Sequence, residues 1–398
     1  MEKVIVVAVQ MTQTDEEFAY ALEEMERLVD TAKGKVIATL TQKRERYDGR
    51  TMIGKGKVDE LRMLVDELQP DLVIFYQSLT ASVVRNLQEE ITVRIIDRVQ
   101  LILDIFAMRA TSKEGKLQVE LAQLNYLLPR LMGQGTALSR LGGGIGTRGP
   151  GETKLESDKR HIRRQIRDIE HQLADTENHR KRAREKRQNS STFQFGLIGY
   201  TNAGKSTLLN RLTQAGTYEE DQLFATLDPL TRKLDLEQAF EATITDTVGF
   251  IQDLPTTLIH AFQSTLEESR GVDLLIHVVD ASNEQFLQHE QTVHDLLVEL
   301  DMEKIPMITI YNKMDKAPLY FQANQYPSLQ ISANDVGDIE RTRNFLIEEM
   351  KKNMSSYQVV LEAHQQQELN KLQRHSYVEE ILFNEETNQY IVNGYKKK

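Results

Sequence analysis

The chain has 398 residues, 40% hydrophobic and 27% charged, which is the composition of a globular protein with more than one core. Its 49 Lys or Arg stand against 60 Asp or Glu, and the net charge of −11 excludes a general nucleic-acid coat, so any RNA contact requires a local basic patch. The lack of cysteine excludes disulfides and thiolate chemistry and fits a reducing, cytoplasmic compartment. No apolar run approaches the ~18 residues that span a bilayer, and residues 1–10 predict a first strand rather than a signal peptide.

Residues 1–110 alternate between two patterns. Apolar runs typical of buried strands occur at 4–9, 36–40, 72–76 and 93–96, and helical spacing occurs at 16–32, 58–68 and 82–90. This alternation predicts a small α/β domain with a parallel sheet. The tetrad Gly54–Lys57 reads G-K-G-K and leaves two interpretations open, a solvated helix start or an anion site.

Residues 111–190 predict an antiparallel helical hairpin. Leucines from Leu117 to Leu131 recur at steps of 4 and 3, and a second apolar seam runs from Leu155 to Leu173. The connection at 133–151 holds 8 of the 21 glycines, which predicts either a flexible linker or a loop that orders against a partner. Residues 154–188 contain 12 Lys or Arg and 7 Asp or Glu, so this helix is either a solvated face or a phosphate-backbone contact.

A phosphate-binding loop follows an apolar strand at 193–198. The segment Gly199–Ser206 reads G-Y-T-N-A-G-K-S, and an amphipathic helix begins directly after it. The two glycines let backbone N–H groups curl toward phosphate oxygens, Lys205 is placed to reach the β- and γ-phosphates, and the Ser206 hydroxyl is placed to bind Mg²⁺.

A second motif, D-x-x-G, ends a strand at Asp246–Gly249. Asp246 is predicted to hold the metal through water, and Gly249 to offer its N–H to the γ-phosphate. Between the two motifs, Thr226 is our candidate for the hydroxyl that binds Mg²⁺, and Thr231 is the alternative. We expect the segment that carries this threonine to be released when the bound nucleotide is hydrolysed. We assign catalytic roles to Lys205, Thr226 and Gly249.

The base is predicted from the N-K-x-D motif at Asn312–Asp315. A carboxylate at Asp315 accepts the ring N–H and the exocyclic amine of guanine, a pair that adenine does not present. Asn312 is expected to brace the loops, the Lys313 stem to cover the base, and the Ala333 N–H to reach the guanine oxygen. The predicted nucleotide contacts are Gly199, Tyr200, Thr201, Asn202, Ala203, Gly204, Lys205, Ser206, Thr207, Phe224, Ala225, Thr226, Asp246, Thr247, Val248, Gly249, Asn312, Lys313, Asp315, Ser332, Ala333 and Asn334.

One position departs from the Ras-like pattern. Phe250 stands where those switches have the glutamine that orients water, so we expect slow intrinsic hydrolysis that a partner stimulates. Asn202 is a candidate for holding a K⁺ ion that would supply charge near the phosphates.

The segment Gly144–Glu156, G-I-G-T-R-G-P-G-E-T-K-L-E, is similar to the signature of the HflX GTPases, and the motifs at 224–229 and 246–251 resemble the wider Obg–HflX group of translation-factor-related GTPases. The tetrad at 54–57 also resembles theirs. The resemblance implies domains at 1–110, 111–190, 191–353 (the GTPase domain) and a small α+β domain at 354–398.

The resemblance also implies a partner, the large ribosomal subunit. Family members bind it in a GTP-dependent way and split or rescue stalled ribosomes under stress. Carried over, residues 133–151 would face rRNA, helix 154–188 would be their basic stem, and the protein would act as a cytoplasmic monomer. Two alternatives stay open: a GTPase module of an RNA-modification or assembly machine, and an RNA-binding protein whose nucleotide site is structural.

Overall fold

The computed structural model describes residues 1–139, 157, 159–176, 191–213, 223–224, 228–236, 239–247, 249–252 and 269–398, and only the backbone of 131–139. These residues form two compact units, one ending at Thr176 and the other comprising the described residues from 191 onward. No helix in this described part combines the length and apolar character that crossing a membrane requires.

The first unit is built on a parallel sheet, as predicted. Its strands are β1 (Glu2–Gln10), β2 (Gly34–Lys43), β3 (Leu72–Phe75) and β4 (Arg94–Asp97), in the order β2-β1-β3-β4. Strand β1 lies inside the sheet and is buried from Val4 to Gln10, which explains why its sequence is apolar without alternation.

Helices α1 (Asp15–Thr31), α2 (Lys55–Leu68), α3 (Ala81–Glu90) and α4 (Arg98–Arg109) complete the α/β domain. A reciprocal capping box between Thr14 and Glu17 starts α1. The tetrad Gly54–Lys57 forms the first turn of α2, with Gly54 as its N-cap. Helix α4 was not predicted, because it follows β4 without a loop and its sequence is apolar on most sides.

The helical region consists of α5 (Lys113–Ser139) and α6 (residues 159–176). The prediction that a loop begins at residue 133 is wrong, because the backbone stays helical to Ser139. A glycine inside an established helix costs only about 1 kcal/mol, less than starting a new turn elsewhere. The rest of the glycine-rich segment, 140–151, and residues 154–156, 158 and 177–188 of the basic helix lie outside the described residues.

Leu117, Leu121, Leu124 and Leu128 of the predicted seam of α5 are only half-buried. Among the described side chains of α5, the buried apolar ones are instead Val119 and Ala122, and this helix packs on α3 and α4. In α6, Ile166 and Ile169 of the predicted seam are buried. The apolar period therefore predicted the helix correctly but placed the buried face of α5 about one residue away.

A single carboxylate ties α5 to the end of β4. The Asp97 side chain is 0% exposed and accepts hydrogen bonds from Tyr126 Oη at 2.5 Å, Arg130 Nη2 at 2.7 Å and the Leu79 N–H at 2.9 Å. The Arg130 guanidinium also lies 3.3 Å over the Tyr126 ring centroid. Burial and the neighbouring Asp97 raise the pKa of Tyr126.

The second unit contains a six-stranded sheet in the order β10-β9-β8-β5-β7-β6. These strands are β5 (Phe193–Ile198), β6 (Leu230–Leu234), β7 (Ala242–Asp246), β8 (Leu274–Asp280), β9 (Met307–Asn312) and β10 (Ser328–Gln330). All neighbours are parallel except the edge strand β6, which runs antiparallel to β7. Helices α7 (Lys205–Thr213), α8 (Phe286–Glu299) and α9 (Val336–Asn353) belong to this unit.

A small antiparallel sheet follows in the same unit. Strands β11 (Ser355–Glu362), β12 (Tyr377–Asn384) and β13 (Gln389–Lys396) form it in the order β11-β13-β12, together with helix α10 (Gln366–His375). The apolar pattern predicts strands at 357–361 and 390–392 and a helix at 364–374, which agree with β11, β13 and α10. It does not predict β12, which carries a Glu-Glu pair at a register shift. Lys397 joins this subdomain to Asp273 at the start of β8, 2.8 Å apart.

Candidate functional site

The loop between β5 and α7 has the backbone shape that its glycines predicted. Gly199 and Gly204 have φ angles of +147° and +95°. A Cβ on Gly199 would lie 2.2 Å from the Val278 carbonyl oxygen, and one on Gly204 would lie 2.2 Å from Asn312 Nδ2. Both positions therefore admit only glycine, for conformation and for space.

Lys205 begins α7 with its ammonium inside this loop. Its Nζ donates to the carbonyl oxygens of Gly199 and Tyr200 at 3.1 and 2.9 Å. Burial lowers the pKa of Lys205 to about 8, against the opposing effect of the Asp246 charge. An ammonium held in this way presents positive charge to an incoming anion.

Ser206 and Asp246 meet beside the lysine. Ser206 Oγ donates to Asp246 Oδ2 at 2.7 Å. The hydroxyl and the carboxylate that we predicted to hold the metal are therefore adjacent. Thr247 is fully buried and donates its hydroxyl to the Leu197 carbonyl, which makes its side chain part of the sheet. Thr231, the alternative metal ligand, lies on β6 with its hydroxyl 2.9 Å from that of Thr245.

The D-x-x-G segment lies directly against the phosphate-binding loop. The Thr201 N–H donates to the Phe250 carbonyl at 2.7 Å, and the Phe250 N–H donates to the Gly199 carbonyl at 3.2 Å. A Cβ on Gly249 would lie 2.9 Å from Lys205 Nζ. The main chain at Gly249 is thus next to the Lys205 ammonium.

Phe250, at the position after the D-x-x-G glycine, is buried. Its side chain is 2% exposed and carries no polar atom. Gln252 is also bonded to the phosphate-binding loop, because its N–H donates to Tyr200 Oη at 2.6 Å.

Asn312 connects the phosphate-binding loop to the segment at 332–334, which is the bracing contact that we predicted for it. Its Nδ2 donates to the Ala203 carbonyl and its Oδ1 accepts from the Ala333 N–H, both at 2.9 Å. The Ala333 N–H that we expected to reach the guanine oxygen is therefore engaged by Asn312 in this structure. Ser332 is held separately, since its N–H donates to Asp338 Oδ2 at 2.7 Å.

Nine of the predicted contact residues line a cavity of about 340 Å³ at the carboxyl ends of β5 and β9. It is lined by Asn202, Gly204, Thr207, Asn312, Lys313, Asp315, Lys316, Ser332, Ala333 and Asn334. All of these except Lys316 were predicted as nucleotide contacts. The carboxyl edge of a parallel sheet is where open α/β folds bind ligands.

Ala225, Thr226 and Val248, three of the predicted contacts, lie outside the described residues. Phe224, another predicted contact, is buried and has a φ of +55°.

Sequence reasoning missed the residues that support the site from behind. Asp280 pairs with Lys313, Asp338 holds Ser332, and His277 lies in the core near Lys205. Burial lowers the pKa of His277 to about 3, helped by the charges of Lys205 and His289. Of these three residues, only Asp280 could have been recognised from the sequence, because it ends an apolar strand as Asp246 does.

Comparison with known sequences assigns three regions of the chain. Residues 19–107 match the family described as GTP-binding GTPase N-terminal, and 109–187 match its counterpart described as GTP-binding GTPase Middle Region. Residues 194–313 match the family described as 50S ribosome-binding GTPase.

Relatives match nearly the whole chain. GTPase HflX of Alkalihalophilus pseudofirmus is 52% identical over 396 residues, covering 99% of this chain and 94% of that protein. GTPase HflX of Escherichia coli is 43% identical over 314 residues, covering 79% and 73%. The crystal structure of SsGBP with GDP shares the fold, with a TM-score of 0.50 and 23% identity over 87% of this chain and 98% of that one. The chain therefore belongs to the HflX family of GTPases and is an enzyme that binds guanine nucleotides and hydrolyses GTP.

Proposed function

We propose that this GTPase is a switch that binds the large ribosomal subunit in its GTP form, splits or rescues stalled ribosomes, and is stimulated by the ribosome to hydrolyse GTP. The observation that carries the switch is the attachment of residues 249–252 to the phosphate-binding loop by three hydrogen bonds. Because Gly249 lies against Lys205, a γ-phosphate bound at the lysine would also contact this segment and order it. Loss of that phosphate would remove the contact and relax the segment.

The roles of the site residues follow from their positions. The N–H groups of the loop and the Lys205 ammonium would bind the phosphates, and Asp315 would accept the two N–H donors of guanine. Asn312 would keep the two halves of the site together. Lys205, Thr226 and Gly249 would act on the γ-phosphate, with the Gly249 N–H as donor.

The oxygen atoms of Ser206 and Asp246 fit a Mg²⁺ ion, since hydroxyl and carboxylate oxygens are the ligands it prefers and these two already converge at 2.7 Å. Ser206 and Thr226 would bind it directly and Asp246 through water. A bound Mg²⁺ would neutralise charge on the β- and γ-phosphates.

Slow intrinsic hydrolysis follows from Phe250. A buried phenyl ring cannot orient the attacking water, so the ribosome would complete the site. Asn202 lines the cavity with a φ of +62°, and we propose that it helps to hold K⁺ beside the phosphates. Comparing hydrolysis rates in K⁺ and Na⁺ tests that role.

The ribosome-facing part would be residues 133–151 and helix 154–188, which contact rRNA. In the described part of that helix, Arg163, Arg164 and Arg167 are exposed while Ile166 and Ile169 face inward. A cationic outer face on an acidic protein suits the phosphate backbone. We further propose domains at 1–110, 111–190, 191–353 and 354–398, in a monomeric cytoplasmic protein.

Co-sedimentation with large ribosomal subunits tests this function. We expect the chain to pellet with them in a non-hydrolysable GTP analogue and to remain in the supernatant in GDP. Lys205→Ala should remove the nucleotide dependence. Arg163→Glu combined with Arg167→Glu should abolish binding, whereas Arg62→Glu, an exposed arginine on α2, should not.

Binding that ignores nucleotide state and Lys205 would contradict the switch. Binding to a different RNA or RNA-modifying complex, with no ribosomal subunit in the pellet, would favour the alternative of a GTPase module in another machine.

A further inference from the structure

Asp280 supports the base-binding cavity without lining it. It ends β8, directly beside Asn312 in the parallel register with β9. Its Oδ2 lies 2.7 Å from Lys313 Nζ, and the two side chains are 17% and 24% exposed. Its Oδ1 accepts from both the N–H and the hydroxyl of Ser282, at 3.0 and 2.6 Å, so the carboxylate is oriented before it meets the lysine.

Lys313 is constrained at both ends. Its backbone has a φ of +63°, a conformation that costs energy for a residue with a side chain. Its ammonium is fixed by Asp280, so the stem between them, which lines the cavity, has little freedom left. A lysine stem ordered in advance does not have to lose rotamer entropy when a base arrives.

Asp315 lies two residues further on and lines the same cavity. Within the described part of the chain it forms no ion pair, although Lys313 and Lys316 both line the cavity with it. Without Asp280, the Lys313 ammonium would have Asp315 as an alternative carboxylate. A pair of that kind would occupy the oxygens that the base must use.

We infer that Asp280 is a positioning residue for guanine recognition: it holds the Lys313 ammonium away from Asp315 and so keeps the Asp315 carboxylate open to the two N–H donors of guanine. This inference rests on the roles proposed above for Lys313 and Asp315. It predicts that loss of Asp280 damages the discrimination between bases, not only the affinity.

Equilibrium titration of the full chain with GDP, IDP and ADP tests this. Inosine lacks the exocyclic amine, so IDP offers Asp315 one donor instead of two. We expect the unsubstituted chain to prefer GDP over IDP by about tenfold or more. In Asp280→Ala, GDP affinity should fall about tenfold and IDP affinity about twofold, so that the preference largely disappears. Asp280→Asn, which keeps the side-chain volume, should give an intermediate loss.

Two further variants make the test specific. Lys313→Met keeps the stem and removes the ammonium, and Asp280→Ala should have no additional effect on the GDP/IDP ratio in that background. Asp273→Ala is the matched control, because Asp273 precedes the same strand and also pairs with a lysine, Lys397, at 2.8 Å. It should leave all three affinities within about twofold.

Equal loss of GDP and IDP affinity in both Asp280 variants would overturn the inference, as would an undiminished effect in the Lys313→Met background. Failure of the proposed base recognition looks different: the unsubstituted chain would then bind GDP and ADP equally well.

Discussion

Tyr200 of the phosphate-binding loop stacks face to face on His289 of α8, with ring centroids 3.7 Å apart and planes 5° from parallel. The same tyrosine accepts the Gln252 N–H through its hydroxyl. One side chain therefore connects the loop, the segment after the D-x-x-G motif and a helix of the surrounding fold. The stack with His289 orients the Tyr200 ring, and the Tyr200 hydroxyl in turn holds Gln252 at the end of the segment 249–252.

Tyr200→Phe keeps the stacked ring and removes only the hydroxyl. We expect single-turnover GTP hydrolysis to slow by about five- to tenfold, because a neutral hydrogen bond of about 1 kcal/mol no longer orders the segment that carries Gly249. GDP affinity should stay within twofold. Phosphate release and nucleotide titration measure the two quantities.

The control for this variant is Tyr357→Phe, which deletes a hydroxyl bonded to Ser376 in the small C-terminal sheet. It should change neither quantity. Equal losses in hydrolysis and GDP affinity for Tyr200→Phe would instead point to general damage of the loop.

Lys205 makes nucleotide binding depend on pH. Its pKa is about 8 because the ammonium is buried, and bound phosphates would raise that pKa again. Above about pH 8 the free protein has lost this proton and the complex keeps it, so GDP binding takes up protons and weakens as the pH rises. Calorimetry at pH 9 in two buffers of different ionisation enthalpy should show uptake approaching one proton, and almost none at pH 7. Equal heats in the two buffers at pH 9 would refute this.

His277 makes the second unit sensitive to acid. Its folded pKa of about 3 is below the ordinary value of 6.5, so the unfolded chain binds a proton that the folded chain refuses. Stability is therefore lost as the pH falls below about 6.5, by about 2 kcal/mol at pH 5. His277→Asn should reduce the difference in unfolding free energy between pH 7 and pH 5 by that amount. His294→Asn, an exposed histidine on α8, should not.

Gly204→Ala tests the backbone of the loop. The added Cβ would meet Asn312 Nδ2 at 2.2 Å in a residue whose φ is +95°. We expect GDP affinity to fall by about 10- to 100-fold.

Gly56→Ala, in the first turn of α2, is the opposite case, because nothing lies within 4 Å of the added atom. This change should stabilise the protein by about 0.5–1 kcal/mol and leave GDP binding unchanged. A large loss of GDP affinity here would mean that the G-K-G-K tetrad, and not only the loop at 199–206, serves the nucleotide.

Arg130→Met tests the attachment of α5 to β4. The Asp97 carboxylate, fully buried, would lose its cation, which should destabilise this region by about 2–4 kcal/mol. Hydrogen exchange of the amides in β4 and α5 should speed up accordingly. Arg62→Met, whose partners Asp59 and Glu90 are exposed, should have little effect. GDP affinity should be the same in both variants, because every predicted nucleotide contact belongs to the other unit.

Much of the fold was predictable because local patterns decide it. The apolar runs of β1 and β5 are typical of buried strands, and Gly199 and Gly204 are the glycines with a positive φ in the part of the chain that the structure describes. Predictions were less accurate where the packing between helices and strands determines which residues are buried. The leucines of α5 have perfect helical spacing, yet Val119 and Ala122 form the buried face.

The same division applies to the candidate site. The residues that would touch the nucleotide stand in motifs of fixed spacing, because each must reach a particular atom of one small ligand. The residues that hold these contact residues in place do not form motifs of fixed spacing. Asp280 and Asn312 are 32 positions apart in the sequence but paired in neighbouring strands, and Tyr200 meets His289 only because α8 folds beside the loop.

The sequence alone determined the order of strands and helices around the loop at 199–206, the type of ligand, and the family, because these depend on local patterns and short motifs. Only the tertiary structure decided which side chains hold those motifs in place. Hydrogen bonds such as Asp280 to Lys313 and Tyr200 to Gln252 join residues 33 and 52 positions apart, and such pairs have no local signature.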